Sequence, residues 1–138
     1  MSIVIDVHTH MYTNKWLELL RLHGGPDLEV KESLDSPNTV FYRGASFCVL
    51  EDPHFDYKLR IKNMNAAGVD MAIVTMPAPS VFWGGPKNSL KAAQTANDEF
   101  AEAQSQYPDR IRWMASLPWE YPESAVKELE RACDNGAI

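Results

Sequence analysis

The chain has 138 residues, 45% hydrophobic, 23% charged and 10% aromatic, with a formal net charge of −6. Those proportions belong to a globular domain, not a disordered chain, and no apolar run approaches the roughly 20 residues of a membrane span. Lys and Arg are scattered, without the clustered cations that a phosphate backbone requires, so neither nucleic acid nor a membrane is an expected partner.

Ile3-Val4-Ile5-Asp6-Val7 is a short, β-branched apolar run and predicts a strand buried on both faces, as in parallel sheets. His8-Thr9-His10 follows directly. Thr13 or Asn14 can cap a helix carrying Trp16, Leu17, Leu20 and, at its end, Leu22, stopped by Gly24-Gly25-Pro26. Leu28-Glu29-Val30-Lys31 and Thr39-Val40-Phe41-Tyr42 read as extended segments around the turn Asp35-Ser36-Pro37-Asn38. Residues 28–50 are therefore expected to form a small β-rich insertion, not a second domain.

Asp52-Pro53 predicts a capped helix running to Gly68, with Tyr57, Ile61 and Met64 on one stripe. Met71 to Met76 predicts a second buried strand. A helix from about Asn88 to Gln106 places Leu90, Ala93, Phe100 and Ala103 on one face. Ile111 to Leu117 predicts a third strand. Pro122 opens a last helix with Ala125, Val126, Leu129 and Cys133 inward, and Ala137-Ile138 reads as the start of a fourth strand. This alternation specifies an α/β fold with parallel strands. Three βα units fall short of the eight, in about 250 residues, that close a barrel.

Residues two apart on a strand share a face, so His8 and His10 project together from the carboxyl end of the first strand, where α/β proteins build active sites. Two neutral imidazoles there make half of a tetrahedral zinc site. The other reading is a pair of ordinary histidines bonded to backbone; the terminal, apolar strand favours the metal. Cys48 and Cys133 read as small buried hydrophobes of a reducing compartment. Without a basic n-region before the first strand, the expected location is cytoplasmic.

Ile5-Asp6-Val7-His8-Thr9-His10 resembles the opening of the amidohydrolase superfamily. More closely, it is similar to the branch containing aminocarboxymuconate-semialdehyde decarboxylase and related aromatic-acid decarboxylases. Asp52-Pro53, Arg60-Ile61-Lys62-Asn63-Met64, Gly68-Val69-Asp70, Asn97-Asp98, Pro108-Asp109-Arg110-Ile111, Leu117-Pro118 and the Ala125 to Arg131 helix extend the likeness along the chain. The resemblance implies that residues 1–138 are the N-terminal three βα units of a (β/α)8 TIM barrel, with the insertion after strand 1 and the remaining barrel missing.

It implies that His8 and His10 are two ligands of a divalent metal, usually Zn2+, with Mn2+ as the other candidate. The remaining ligands and the histidine that manages the proton would lie beyond Ile138, so no catalytic acid is assigned. Arg43 sits where the branch places an arginine gripping the substrate carboxylate, the alternative being an exposed loop arginine. Phe82, Trp83 and Trp119 could pack a planar acid or simply the core, while Asp6 would accept backbone hydrogen bonds. The implied activity is metal-dependent, non-oxidative decarboxylation of an unsaturated or aromatic carboxylic acid, by a carboxy-lyase that forms a homodimer or higher homo-oligomer. A hydrolase or hydratase of the same superfamily, and a non-catalytic truncated α/β module, are the alternatives.

Overall fold

A computed structural model describes residues 2–34 and 36–138; Asp35, the first residue of the expected turn, lies outside the described residues. The elements run β1 (Ile5–His10), α1 (Asn14–His23), β2 (Leu28–Lys31), β3 (Thr39–Tyr42), β4 (Ala45–Val49), α2 (Tyr57–Ala67), β5 (Met71–Thr75), α3 (Gly85–Gln106), β6 (Ile111–Trp113) and α4 (Pro122–Asp134). They build a parallel sheet in the order β1-β5-β6 and an antiparallel sheet in the order β2-β3-β4.

Crossovers between parallel strands are right-handed, so strands added in one direction put every connecting helix on the same side. The parallel sheet is accordingly covered on one face. Ala72 and Val74 of β5 and Ile111 and Trp113 of β6 are buried against Met64 of α2, Phe100 of α3 and Ala132 of α4. The alternating residues Met71, Ile73, Thr75 and Arg112 are only half-buried.

The expectation that the first strand is buried on both faces is thereby corrected. Ile3, Val4 and Ile5 are exposed and Val7 is 63% exposed, because β1 is the sheet's edge and, among the described residues, no helix covers its second face. At the opposite edge the Ile138 N–H donates to Trp113 O at 3.1 Å, the type of bond with which a further parallel strand would begin.

The second sheet is not a separate body. Leu28, Val40 and Leu50 share one core with Trp16, Leu17 and Leu20 of α1, Val81 and Trp83 of the loop after β5, and Ala92 and Ala93 of α3. Its third strand, β4, was not anticipated. Arg43 (φ +49°) and Gly44 (φ +83°) make the two-residue connection from β3, and two positive φ values in succession match the twist of a hairpin. Arg-Gly lacks the usual Asn-Gly or Asp-Gly signal, and β4 buries little.

Two helices also depart from expectation. Asp52-Pro53 starts only a 3-10 turn, Asp52–His54. The chain then restarts at Asp56, whose Oδ1 accepts the Leu59 N–H at 3.0 Å and caps α2. In α4, Val126, Leu129 and Cys133 are exposed, while Glu128 and Ala132 face inward.

The reason is a polar cluster. Glu128, 1% exposed, accepts from Asn97 Nδ2 at 2.7 Å and from Arg131 Nε and Nη2 at 2.8 Å each. Asn97 also bonds both backbone groups of Ser116, at 2.8 and 3.0 Å. It thus takes over hydrogen bonds that a longer β6 would need, and the strand stops at Trp113. A buried carboxylate is tolerable when every lone pair has a donor.

Replacing Glu128 with alanine leaves one of the two Asn97 Nδ2 hydrogens without an acceptor inside the protein, and removes the carboxylate that pairs with Arg131. The expected loss is about 2–3 kcal/mol in a urea melt, and clearly less for Glu128→Gln, which keeps an acceptor.

Candidate functional site at the carboxyl end of the parallel sheet

β1 reaches the site through an irregularity. Its register against β5 runs Asp6 with Ala72, then Thr9 with Val74, so one extra residue is accommodated between them. The His8 N–H, displaced from the ladder, donates to Asp6 Oδ1 at 3.1 Å. This is the backbone-accepting role anticipated for Asp6. A bulge re-aims the residues that follow it. Thr9 turns to the covered face and is buried, while His8 and His10 lie on the other side. Their ring centroids are 5.0 Å apart at 74°.

The end of this strand is pinned by Arg60 of α2. Its Nη1 donates to Thr9 Oγ1 at 2.6 Å, and its Nη2 donates to His10 O at 2.9 Å, with Met11 Sδ at 3.4 Å. On the uncovered face, Thr75 of β5 places Oγ1 2.8 Å from His10 Nδ1. Neither Arg60 nor Thr75 stood out in the sequence as a site residue. Arg60 is one of three cations on α2, with Lys58 and Lys62, so nothing local set it apart.

A groove of about 320 Å³ adjoins the pair, with Thr75 common to both and Ser80, Phe82, Met114 and Trp119 among its walls. Phe82 and Trp119 are exposed, the latter at 70%, whereas Trp83 is buried in the core. The loop that carries Phe82 is tied down by three side chains. Tyr12 OH donates to Ala78 O at 2.7 Å, and the Trp16 and Trp83 indole N–H groups both donate to Ser80 O, at 2.7 and 2.9 Å.

Arg43 is not brought to the imidazoles by any contact. It sits at the β3–β4 turn, where Nε pairs with Asp27 Oδ1 at 3.1 Å and the guanidinium lies 5.2 Å from the Tyr42 ring centre. Among the described residues, no group of three or more His, Cys, Asp or Glu side chains is placed to hold a metal ion, and no helix is long and apolar enough to cross a membrane. His54 is used locally, its Nδ1 accepting the Glu51 N–H at 3.0 Å.

The cysteines differ from one another. Cys48 is half-buried near Tyr12 OH, and Cys133 is exposed, which corrects its expected inward position. Burial pushes the Cys48 thiol above its ordinary pKa, against a smaller lowering by the Tyr12 hydroxyl. A thiol with a raised pKa offers less thiolate, so iodoacetamide at pH 8 should label Cys133 well ahead of Cys48 in peptide mapping. Separately, Arg60→Met should cost about 2 kcal/mol in a urea melt by stranding Thr9 Oγ1 and the His10 carbonyl. Arg60→Lys, which cannot fork to both, should fall between.

No family model matches the chain. The 2-amino-3-carboxymuconate-6-semialdehyde decarboxylase of Dictyostelium discoideum is 30% identical over 132 residues, which is 94% of this chain and 37% of that protein. A solved amidohydrolase II shares 27% identity at a TM-score of 0.70, over 98% of this chain and 38% of its own. A dihydroxybenzoic acid decarboxylase from Polaromonas sp. JS666, solved with manganese and the inhibitor 2-nitroresorcinol, shares 26% at 0.70, over 99% and 38%. This chain thus spans little more than a third of the length of each. Over nearly all of its own length, it is similar to an amidohydrolase and to the decarboxylases that its first strand resembles.

Proposed function

We propose that the chain supplies two ligands of a divalent metal, His8 and His10, to a non-oxidative decarboxylase acting on an unsaturated or aromatic carboxylic acid. One observation carries the reading: two imidazoles 5.0 Å apart on the uncovered face, at the carboxyl end of β1, in a chain whose relative over 94% of its length is a decarboxylase. Neutral imidazoles suit a divalent ion, and a catalytic site normally has three protein ligands. Two donors therefore fit as part of a set. The manganese in the Polaromonas decarboxylase supports a divalent ion without singling out the zinc expected from the sequence.

When bound, the metal polarises a substrate oxygen and so eases the electron density left behind by departing CO2. The chain's own residues do the rest of what can be assigned. Arg60 holds the strand end that bears both imidazoles. Phe82 and Trp119 offer flat walls for a planar acid in the groove. The reading also gives Arg43 to the substrate carboxylate, which would replace Asp27 as its partner in an exchange of one carboxylate for another.

In this proposal the three parallel strands and their helices are the first three βα units of a (β/α)8 barrel. The uncovered face, the unpaired edge of β1 and the ladder bond at Ile138 support it. Further metal donors and the proton donor would come from the rest of that barrel.

Calorimetric titration with Mn2+ and with Zn2+ tests the assignment. His8→Ala and His10→Ala should each weaken binding at least tenfold, and the double variant should abolish it. In the full-length polypeptide, the same changes should abolish CO2 release from a planar hydroxybenzoic acid. Unchanged metal affinity in variants that melt like the parent overturns the proposal.

A further inference from the structure

We infer that Thr75 is a positioning residue that fixes the ring tautomer of His10, so that this imidazole presents Nε2 and not Nδ1 to a ligand. His10 and Thr75 are direct partners in the parallel register of β1 and β5, and their side chains meet on the uncovered face with Nδ1 2.8 Å from Oγ1. A threonine hydroxyl has one proton and two lone pairs. Besides the imidazole, Thr75 Oγ1 has the Thr9 carbonyl within reach, 3.4 Å away; with the hydroxyl proton turned there, the proton between Thr75 and His10 comes from the imidazole.

Arg60 already donates to Thr9 Oγ1 and to His10 O, so neither of these oxygens needs a proton from Thr75. Nδ1 then carries the hydrogen, and the lone pair of Nε2 is left for a ligand. Which nitrogen of a histidine binds is set by the hydrogen bond that the other makes. A small hydroxyl on the neighbouring strand does here what a carboxylate or backbone carbonyl does at many metal sites.

The functional value of this device rests on the reading of His10 as a metal ligand; the device itself does not. Long-range 1H–15N NMR of the 138-residue chain, well above the ordinary imidazole pKa, reads the tautomer directly. The parent and Thr75→Ser should show His10 as Nδ1–H. Thr75→Val, which keeps the shape and removes the hydroxyl, should shift His10 towards the Nε2–H form favoured in water, with His8 unchanged. Thr75→Ala serves if the valine variant does not fold.

An Nε2–H signal in the parent, or an unaltered Nδ1–H signal without the hydroxyl, overturns the inference. Zn2+ titration separates it from the functional reading. Thr75→Val should bind about tenfold more weakly and Thr75→Ser like the parent. Zn2+ binding indifferent to His8→Ala and His10→Ala, with the tautomer still shifted by Thr75→Val, sinks the ligand reading and leaves the positioning role. The reverse pattern sinks the positioning role alone.

Discussion

Three parallel strands laid down in one direction can be joined only by crossovers of one hand, and that constraint puts α2 and α3 on a single face of the sheet. Everything else about the molecule follows from the asymmetry. The covered face takes the large apolar side chains, Trp113, Ile111 and Phe100 among them. The other face is left to residues that need not be dry, and His8, His10, Thr75 and Arg112 lie there half-buried or exposed. A strand whose apolar run suggested burial on both sides is instead an edge with one packed face. Polar chemistry at its end is then compatible with its surroundings, because an imidazole pair in a fully dry sheet would lose hydration without compensation.

Polar side chains, more than apolar ones, decide where the regular elements stop. Asp56 restarts a helix that Asp52-Pro53 had begun. Asn97 captures both backbone groups of Ser116 and ends β6 early. Arg60 fills the acceptors at the end of β1, and the Asp6 carboxylate takes the amide that the bulge releases. In each case a side chain substitutes for a missing ladder or helix bond. The backbone can therefore leave regular structure at the sheet's carboxyl end without stranding buried groups.

The order of elements was legible because apolar periodicity and Gly/Pro punctuation report secondary structure directly. β2 and β3 match the extended segments read around Pro37, and α1 buries Trp16, Leu17 and Leu20 as the helical spacing implied. The proximity of His8 and His10 was legible for the same reason, a period of two. Contacts between distant residues were not. The orientation of α4 depends on Glu128 meeting Asn97, 31 positions away, and hydropathy alone assigns a glutamate outward and Val126 inward. Arg60 and Thr75 meet the histidine strand across 50 and 65 positions, with no local pattern to announce them. The bulge was equally hidden, since it arises from how two strands pair and not from either strand alone.

The loop after β5 is gripped at two carbonyls by Tyr12, Trp16 and Trp83, and this changes what a ligand would encounter. Loops beside binding grooves commonly lose conformational freedom when they close on a guest, and that loss subtracts from affinity. Here the ordering takes place when the core forms, because the donors are aromatic residues anchored inside it. A guest entering between Phe82 and Trp119 would meet one wall whose backbone is already arranged. Selectivity would then depend on the shape and charge of the guest, with little contribution from the wall adapting to it. The same rigidity makes this region poorly suited to act as a moving lid, so any closing motion over the groove has to come from another part of the structure.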